Sequence, residues 1–209
     1  MFWGIDRTTP CPSFAKEGNR TRDFRLTQYP SNQYRDKTCN NSSDWSPDGR
    51  WLLFTSQSTK TARYIWVLPM EGENKPIAIA QTAADESGAR FSPDGHWIAY
   101  QSNESGRNEI YVQPFPGPGA RSQISTGGGN SIQWRRHGKE VFYQAPNNRL
   151  MRASVSLNGP RVEPGVPVTL FTLTAGASYA ASPDEQRFLV NEITRDASPI
   201  TILMNWRPR

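Results

Sequence analysis

Ser46-Pro47-Asp48-Gly49 is followed, one residue later, by Trp51-Leu52-Leu53-Phe54. Ser92-Pro93-Asp94-Gly95 is followed in the same way by Trp97-Ile98-Ala99-Tyr100. Ser at the first position, Pro with its preset φ at the second and Gly at the fourth suit a type I turn. A type I turn that ends in a left-handed residue closes a hairpin with a bulge, and glycine takes that conformation without strain. Each copy therefore joins two antiparallel strands. The strand after the turn is apolar on both faces, with Trp51 and Leu53 pointing one way and Leu52 and Phe54 the other. A strand of that kind belongs in a sheet sandwiched between two others.

Working outward, the turn recurs. Arg135-Arg136-His137-Gly138 keeps only the glycine and precedes Val141-Phe142-Tyr143. Ser182-Pro183-Asp184-Glu185 keeps the turn without the glycine and precedes Phe188-Leu189-Val190. The fourth positions, Gly49, Gly95, Gly138 and Glu185, are spaced by 46, 43 and 47 residues, which is a repeat period. Polar hairpins follow at 56–63 and 102–108. A third strand comes next in each unit: Ile65-Trp66-Val67-Leu68, Ile110-Tyr111-Val112, Leu150-Met151 and Ile200-Thr201-Ile202-Leu203. A weaker fourth strand precedes the next turn: Ile77-Ala78-Ile79, Ser122-Gln123-Ile124 and Val168-Thr169-Leu170-Phe171. Four antiparallel strands in each unit of about 45 residues, stacked face to face, describe an all-β fold, a β-propeller of four-stranded blades.

About four blades are expected, at 44–89, 90–131, 132–178 and 179–209. Residues 1–22 read as an irregular lead-in and 23–43 as the remnant of a preceding blade, with Phe24-Arg25-Leu26-Thr27 as its last strand. Four blades and a stray strand suggest part of a larger ring, in a C-terminal fragment of a longer protein. Open blade edges are then expected to drive self-association, which light scattering reads directly. If Glu185 takes the left-handed position held elsewhere by Gly, Glu185→Gly should stabilise the fold by about 1 kcal/mol.

Among 209 residues, 35% are hydrophobic and no run of about 18 apolar residues occurs, so no direct membrane insertion is expected. No basic and apolar leader is visible at Met1-Phe2-Trp3-Gly4, which leaves a cytoplasmic protein or a targeting signal carried by a longer parent. The formal net charge is +5, but the arginines are scattered rather than clustered, and nucleic acid is not the expected partner. Cys11 and Cys39 lie outside the repeats; they can pair in an oxidising compartment or stand as free thiols, and two cysteines make no metal site.

The repeat resembles the TolB-type, WD-repeat-like propeller family, whose blade signature centres on this turn before an apolar strand; the match runs over roughly 44–206. Three stretches are similar, more narrowly, to the C-terminal propellers of bacterial eukaryotic-like serine/threonine protein kinases. They are Phe91-Ser92-Pro93-Asp94-Gly95 through Glu109-Ile110-Tyr111-Val112-Gln113-Pro114-Phe115-Pro116-Gly117, then Ser125-Thr126-Gly127-Gly128-Gly129 with Trp134-Arg135-Arg136, and the ending Ile202-Leu203-Met204-Asn205-Trp206. The resemblance implies a sensory or interaction domain attached to an upstream kinase and a membrane anchor. That placement would make it extracytoplasmic or periplasmic. The kinase motifs themselves, a Gly-rich phosphate loop, His-Arg-Asp and Asp-Phe-Gly, are not in the chain.

Few residues suggest chemistry. Gly127-Gly128-Gly129 leads into a strand, not a helix, so it reads as a flexible connection between blades and not as a phosphate cradle. His96 and His137 sit at turns, and no Gly-x-Ser-x-Gly elbow presents a nucleophile. Asp48, Asp94 and Asp184 cap their own turns, which a ring is expected to hold too far apart to share an ion. Trp51, Trp66 and Trp97 are expected to face neighbouring blades. No catalytic residue, cofactor or metal is assigned.

The candidate binding face lies opposite the turns and along the inner strands beside the channel. Asp44, Arg90 and Gln133 occupy equivalent inner-strand positions and vary in charge within an apolar framework. Arg63 and the hairpin at Glu104 and Arg107 extend that face. The expected function is a non-catalytic protein- or peptide-binding propeller at the sensor end of a kinase-type parent. The alternatives are the accessory propeller of a serine peptidase or a TolB-like periplasmic interaction protein.

Overall fold

A computed structural model describes residues 41–57, 62–72, 75–117, 119–157, 162–182 and 187–191. Outside them lie the lead-in, the strands expected at 24–27 and 200–203, both cysteines, and Asp184 and Glu185 of the fourth turn.

The first sheet is built from β1 (Asn41–Trp45), β2 (Trp51–Gln57), β3 (Arg63–Pro69) and β4 (Ile77–Ala80), hydrogen-bonded in that order. The second repeats the plan with β5 (Glu86–Phe91), β6 (Trp97–Ser102), β7 (Glu109–Pro114) and β8 (Ser122–Gln123). In the third, β9 (Asn130–Trp134), β10 (Glu140–Ala145) and β11 (Arg149–Ser156) are followed by an outer strand split in two. Its pieces, β12 (Glu163–Pro164) and β13 (Val168–Thr172), both pair with β11. β14 (Ser178–Ala181) and β15 (Phe188–Asn191) open a fourth sheet. All these pairings are antiparallel, and every connection within a sheet is short. This is the four-stranded blade expected from the repeat.

Alternation along the second strand of each blade builds the core. Leu53, with Ile65 and Val67, packs against Phe91, Ile98 and Tyr100 of the next blade. Trp97 and Ala99, the other face of that strand, join Val141, Tyr143 and Met151 of the third blade. Phe142 and Leu150 then meet Tyr179 and Phe188 of the fourth sheet. Trp97 and Trp51 lie in or against these inter-blade layers. Trp66 instead packs with Leu52, Phe54 and Leu68, the other apolar face of the first sheet.

The turns are built alike. Gly49 N–H donates to Ser46 O (2.8 Å) and Ser46 N–H to Trp51 O (2.9 Å); Gly95 and Ser92 make the same bonds at 2.9 and 2.8 Å. Gly49, Gly95 and Gly138 have φ of 72°, 73° and 74°, the left-handed position that the turn requires. The aspartate is tied locally: Asp94 Oδ1 accepts from Ser92 Oγ (2.5 Å) and His96 N–H (3.0 Å), and Asp48 does the same with Ser46 and Arg50. Those donors hold the Asp48 carboxyl below the usual carboxylate range. In the third turn His137 Nδ1 takes over, accepting from Lys139 N–H at 3.0 Å. Asp94→Ala removes two acceptor contacts at an exposed turn and is expected to lower unfolding free energy by about 1 kcal/mol, checked by urea melts.

One expectation needs correction. Consecutive turns are not far apart: a Cβ added to Gly95 would lie 3.5 Å from Pro47 Cδ, and one at Gly138 would lie 3.8 Å from Pro93 Cδ. Each glycine packs on the proline of the preceding turn, because the inner strands converge at this end of the blades. The aspartates stay local because the serine hydroxyl and a backbone amide occupy them. Distance is not the reason.

Candidate functional site

Asp44, Arg90 and Gln133 are each the penultimate residue of an inner strand, at the turn end of β1, β5 and β9. The structure brings them together around one open hollow of about 380 Å³, with Trp45, Phe91 and Trp134 beside them. They therefore sit on the turn side of the blades, whereas the expected binding face also included the opposite loops. A repeated bulge aims them. Ser42 and Asp44 pair with the consecutive residues Phe54 and Leu53. Ser87 and Arg90 pair with Gln101 and Ala99, and Asn130 and Gln133 with Gln144 and Phe142. Each inner strand thus holds one residue more than its partner, which twists the strand and redirects the side chain that follows. Gly88 (φ 65°) and Ser131 (φ 54°) supply the left-handed residue in two of the bulges.

All three side chains tie blades together, two of them by accepting from the next blade. Asp44 Oδ2 accepts from Phe91 N–H in the next blade (2.9 Å), and Oδ1 accepts from Trp45 N–H (3.0 Å). Gln133 Oε1 accepts from Ala181 N–H (3.1 Å), the same position one blade on, while its Nε2 donates to Tyr179 O (2.6 Å). Arg90 cannot accept, so the pattern breaks in the middle blade. Its Nη1 turns back to donate to Ser43 O and to Ala89 O (3.3 Å), and Trp134 Nε1 donates to Arg90 O (3.2 Å). Burial pushes the Asp44 carboxyl above its ordinary value, against the pull of the Phe91 amide and the nearby Arg90 charge.

The aromatic wall of the hollow was not singled out from sequence. Trp45, Phe91 and Trp134 each stand immediately before a turn, at one repeat position in three successive blades. Phe91 is buried against Phe115, with ring centroids 5.3 Å apart, whereas Trp45 is 51% exposed. An aromatic at that repeat position was the available signal. A half-exposed tryptophan beside an open hollow is unusual for a residue whose value lies in burial.

Arg63, Glu104 and Arg107 lie at the far end of the blades, away from this hollow. Arg63 forms a two-pronged pair with Asp85, Nε to Oδ1 at 2.8 Å and Nη2 to Oδ2 at 2.6 Å, which joins the first blade to the segment entering the second and holds the Asp85 carboxyl below its usual range. Glu104 pairs with Arg121 (2.6 Å), and Arg107 approaches Glu109 at 3.6 Å. Glu109 also accepts from Ser125 Oγ and from Gly128 N–H (2.9 and 3.0 Å to its two oxygens). The triglycine is therefore not a flexible connection. Its amide cradles the chain's own carboxylate, and a Cβ at Gly129 would come within 2.7 Å of Ile110 Cγ1.

Glu86, at the start of β5, is buried with Oε1 accepting from Thr82 Oγ1 (2.5 Å) and N–H (3.3 Å), while Oε2 has no partner among the described residues. Desolvation outweighs the threonine and raises its carboxyl above 4.5. A raised carboxyl contributes its stability below the unfolded value and loses it as pH rises through the folded one. Glu86→Gln should therefore gain in melting temperature on the unsubstituted chain between about pH 4 and about pH 7; an equal difference at both pH values would contradict the assignment.

Among the described residues no cluster of three or more His, Cys, Asp or Glu side chains is arranged to hold a metal ion, and no helix is long and apolar enough to cross a membrane.

No family model matches the chain. Dipeptidyl-peptidase 5 of Aspergillus fumigatus is 27% identical over 125 residues, covering 47% of this chain, and the chain spans 17% of that protein's length. TolB from Acinetobacter baumannii superposes with a TM-score of 0.53 at 20% identity, over 71% of this chain and 36% of that one. The propeller domain of the Trilobed protease from Pyrococcus furiosus gives 0.53 at 15% identity, over 78% and 51%. Repeated turns, four-stranded antiparallel blades and face-to-face apolar layers agree with these likenesses: by fold, the chain is a β-propeller.

Proposed function

We propose that the chain is a non-catalytic propeller segment whose turn-side hollow holds an extended stretch of a protein or peptide. The observation that supports this is the convergence of three inner strands on an open hollow walled by Trp45 and Trp134. Exposed aromatic side chains beside hydrogen-bonding groups suit peptide recognition, because they offer large contact area at little conformational cost. Retention of a random decapeptide pool on the immobilised chain tests it. Trp45→Ala should abolish retention and Arg63→Ala should preserve it; the reverse pattern would move the site to the far end.

Two parents fit such a module. The sensor end of a serine/threonine kinase-type protein rests on the three sequence stretches quoted above. The accessory propeller of a serine peptidase is favoured by the similarity to dipeptidyl-peptidase 5, and in that setting the hollow would handle peptide on its way to a separate hydrolase domain. The flanking coding sequence discriminates them: an α/β-hydrolase supports the peptidase, a kinase domain supports the sensor, and neither would exclude both.

A further inference from the structure

The hollow has a chemical preference of its own. Arg90 is the one cationic side chain among the three inner-strand residues at its floor, and its guanidinium is held by backbone oxygens. Nη1 donates to the Ser43 and Ala89 carbonyls, which fixes the plane of the group without neutralising its charge. Among the described residues Nε and Nη2 make no hydrogen bond, and no carboxylate lies within ion-pair distance of Arg90. Asp44, its acidic neighbour, spends both oxygens on the amides of Trp45 and Phe91.

The turns around the hollow follow the same division. Asp48 and Asp94 direct Oδ1 inward to a serine hydroxyl and a backbone amide. Arg50 of the first turn and Lys139 beside the third are exposed, whereas Arg135 of the third turn pairs with Glu140. The turn aspartates are thus hydrogen-bonded within their own turns, while Arg50 and Lys139 lie at the surface. A held guanidinium with a free edge is a receptor for a planar anion, because two parallel N–H groups match the two oxygens of a carboxylate. The flanking indoles, with Trp45 half exposed, offer the apolar flank that a peptide backbone or proline ring would cover.

Resting on the reading of the hollow as a peptide site, we propose that it selects an acidic extended peptide, with Arg90 receiving a carboxylate and Trp45 and Trp134 flanking the segment that carries it. The partner is then a protein with an exposed stretch rich in glutamate or aspartate, and not a basic or purely apolar one.

The test uses the full chain and two fluorescein-labelled peptides, one alternating glutamate with proline and one alternating glutamine with proline, read by fluorescence anisotropy. The glutamate peptide should bind at least about tenfold more tightly, the scale of one charge-assisted hydrogen bond in a partly dry site, and the advantage should shrink as salt is added. Arg90→Met should erase the difference between the peptides, with Arg90→Lys intermediate and Arg63→Met unchanged. The comparison of the two peptides on the unsubstituted chain needs no variant, so a fold weakened by loss of the Ser43 contact does not blunt it. Equal binding of both peptides, lost in Trp45→Ala, would overturn the carboxylate selection and leave the peptide site standing. Binding of neither would overturn both. Discrimination that persists in Arg90→Met would assign it to another cation and overturn the role given to Arg90.

Discussion

Leu53→Ala is expected to lower the free energy of unfolding by about 2–5 kcal/mol. Leu53 is completely buried in the second strand of the first blade, facing Ile98 and Tyr100 of the next. Alanine there removes the apolar area that Leu53 buries and leaves a cavity between two stiff sheets that cannot both move to fill it. A small domain has only about 5–15 kcal/mol in hand, so the substitution would consume a large share of its stability. Urea unfolding monitored by tryptophan fluorescence measures it. A loss below about 1 kcal/mol would show that the first two blades do not pack as a shared layer.

Glu109→Ala should cost about 2–3 kcal/mol, because it strands buried donors as well as removing a charge. The carboxylate sits at the start of β7 with only 1% of its surface exposed, and binds Ser125 Oγ and the Gly128 amide. Ser125 Oγ in turn accepts from Ile110 N–H at 2.8 Å, so one side chain organises the crossing into the third blade. Alanine would leave the Gly128 N–H unpaired in a space already filled by Ile110 and Pro146. Glu109→Gln retains an acceptor and should recover part of the loss. Amide exchange at Gly128 should accelerate in the alanine variant; unchanged exchange with unchanged stability would refute the clamp.

The blade was legible because its determinants are local. Ser-Pro-Asp-Gly dictates its own hairpin through residues within five positions of one another, and two-residue alternation along Trp51-Leu52-Leu53-Phe54 assigns each side chain to one of two layers. The equivalence of Asp44, Arg90 and Gln133 followed from the same period. Their actual use did not, because Asp44 meets the Phe91 amide 47 residues away and Gln133 meets that of Ala181 48 residues away. Those contacts depend on how blades stack and on bulges that one left-handed residue creates, at Ser131 in one case, and a serine carries no mark of that conformation. Gly127-Gly128-Gly129 departs from its expected role for a related reason. Composition suggests slack, while Gly128 and Gly129 serve close approach, with Pro146 and Ile110 occupying the space that their side chains would need and Glu109 holding the Gly128 amide.

Arg63, Glu104 and Arg107 illustrate the opposite case. Their exposure and charge made them candidates, yet Arg63 and Glu104 each form a close ion pair and Arg107 stands beside Glu109. What they are seen to do is hold the far end together. The hollow on the turn side is where polar groups, a half-exposed tryptophan and a guanidinium without an ion-pair partner coincide, and function is placed there.

Tryptophan itself provides the decisive reporter. With the indole nitrogens labelled, the chain can be titrated with the glutamate–proline peptide and followed by heteronuclear NMR. The Trp45 and Trp134 indole signals should shift progressively and saturate together, while that of Trp66, packed with Leu52 and Phe54 on the other face of the first sheet, stays in place. Saturable shifts confined to backbone amides around Arg63 and Glu104, with the Trp45 and Trp134 indoles unmoved, would contradict the assignment of binding to the hollow.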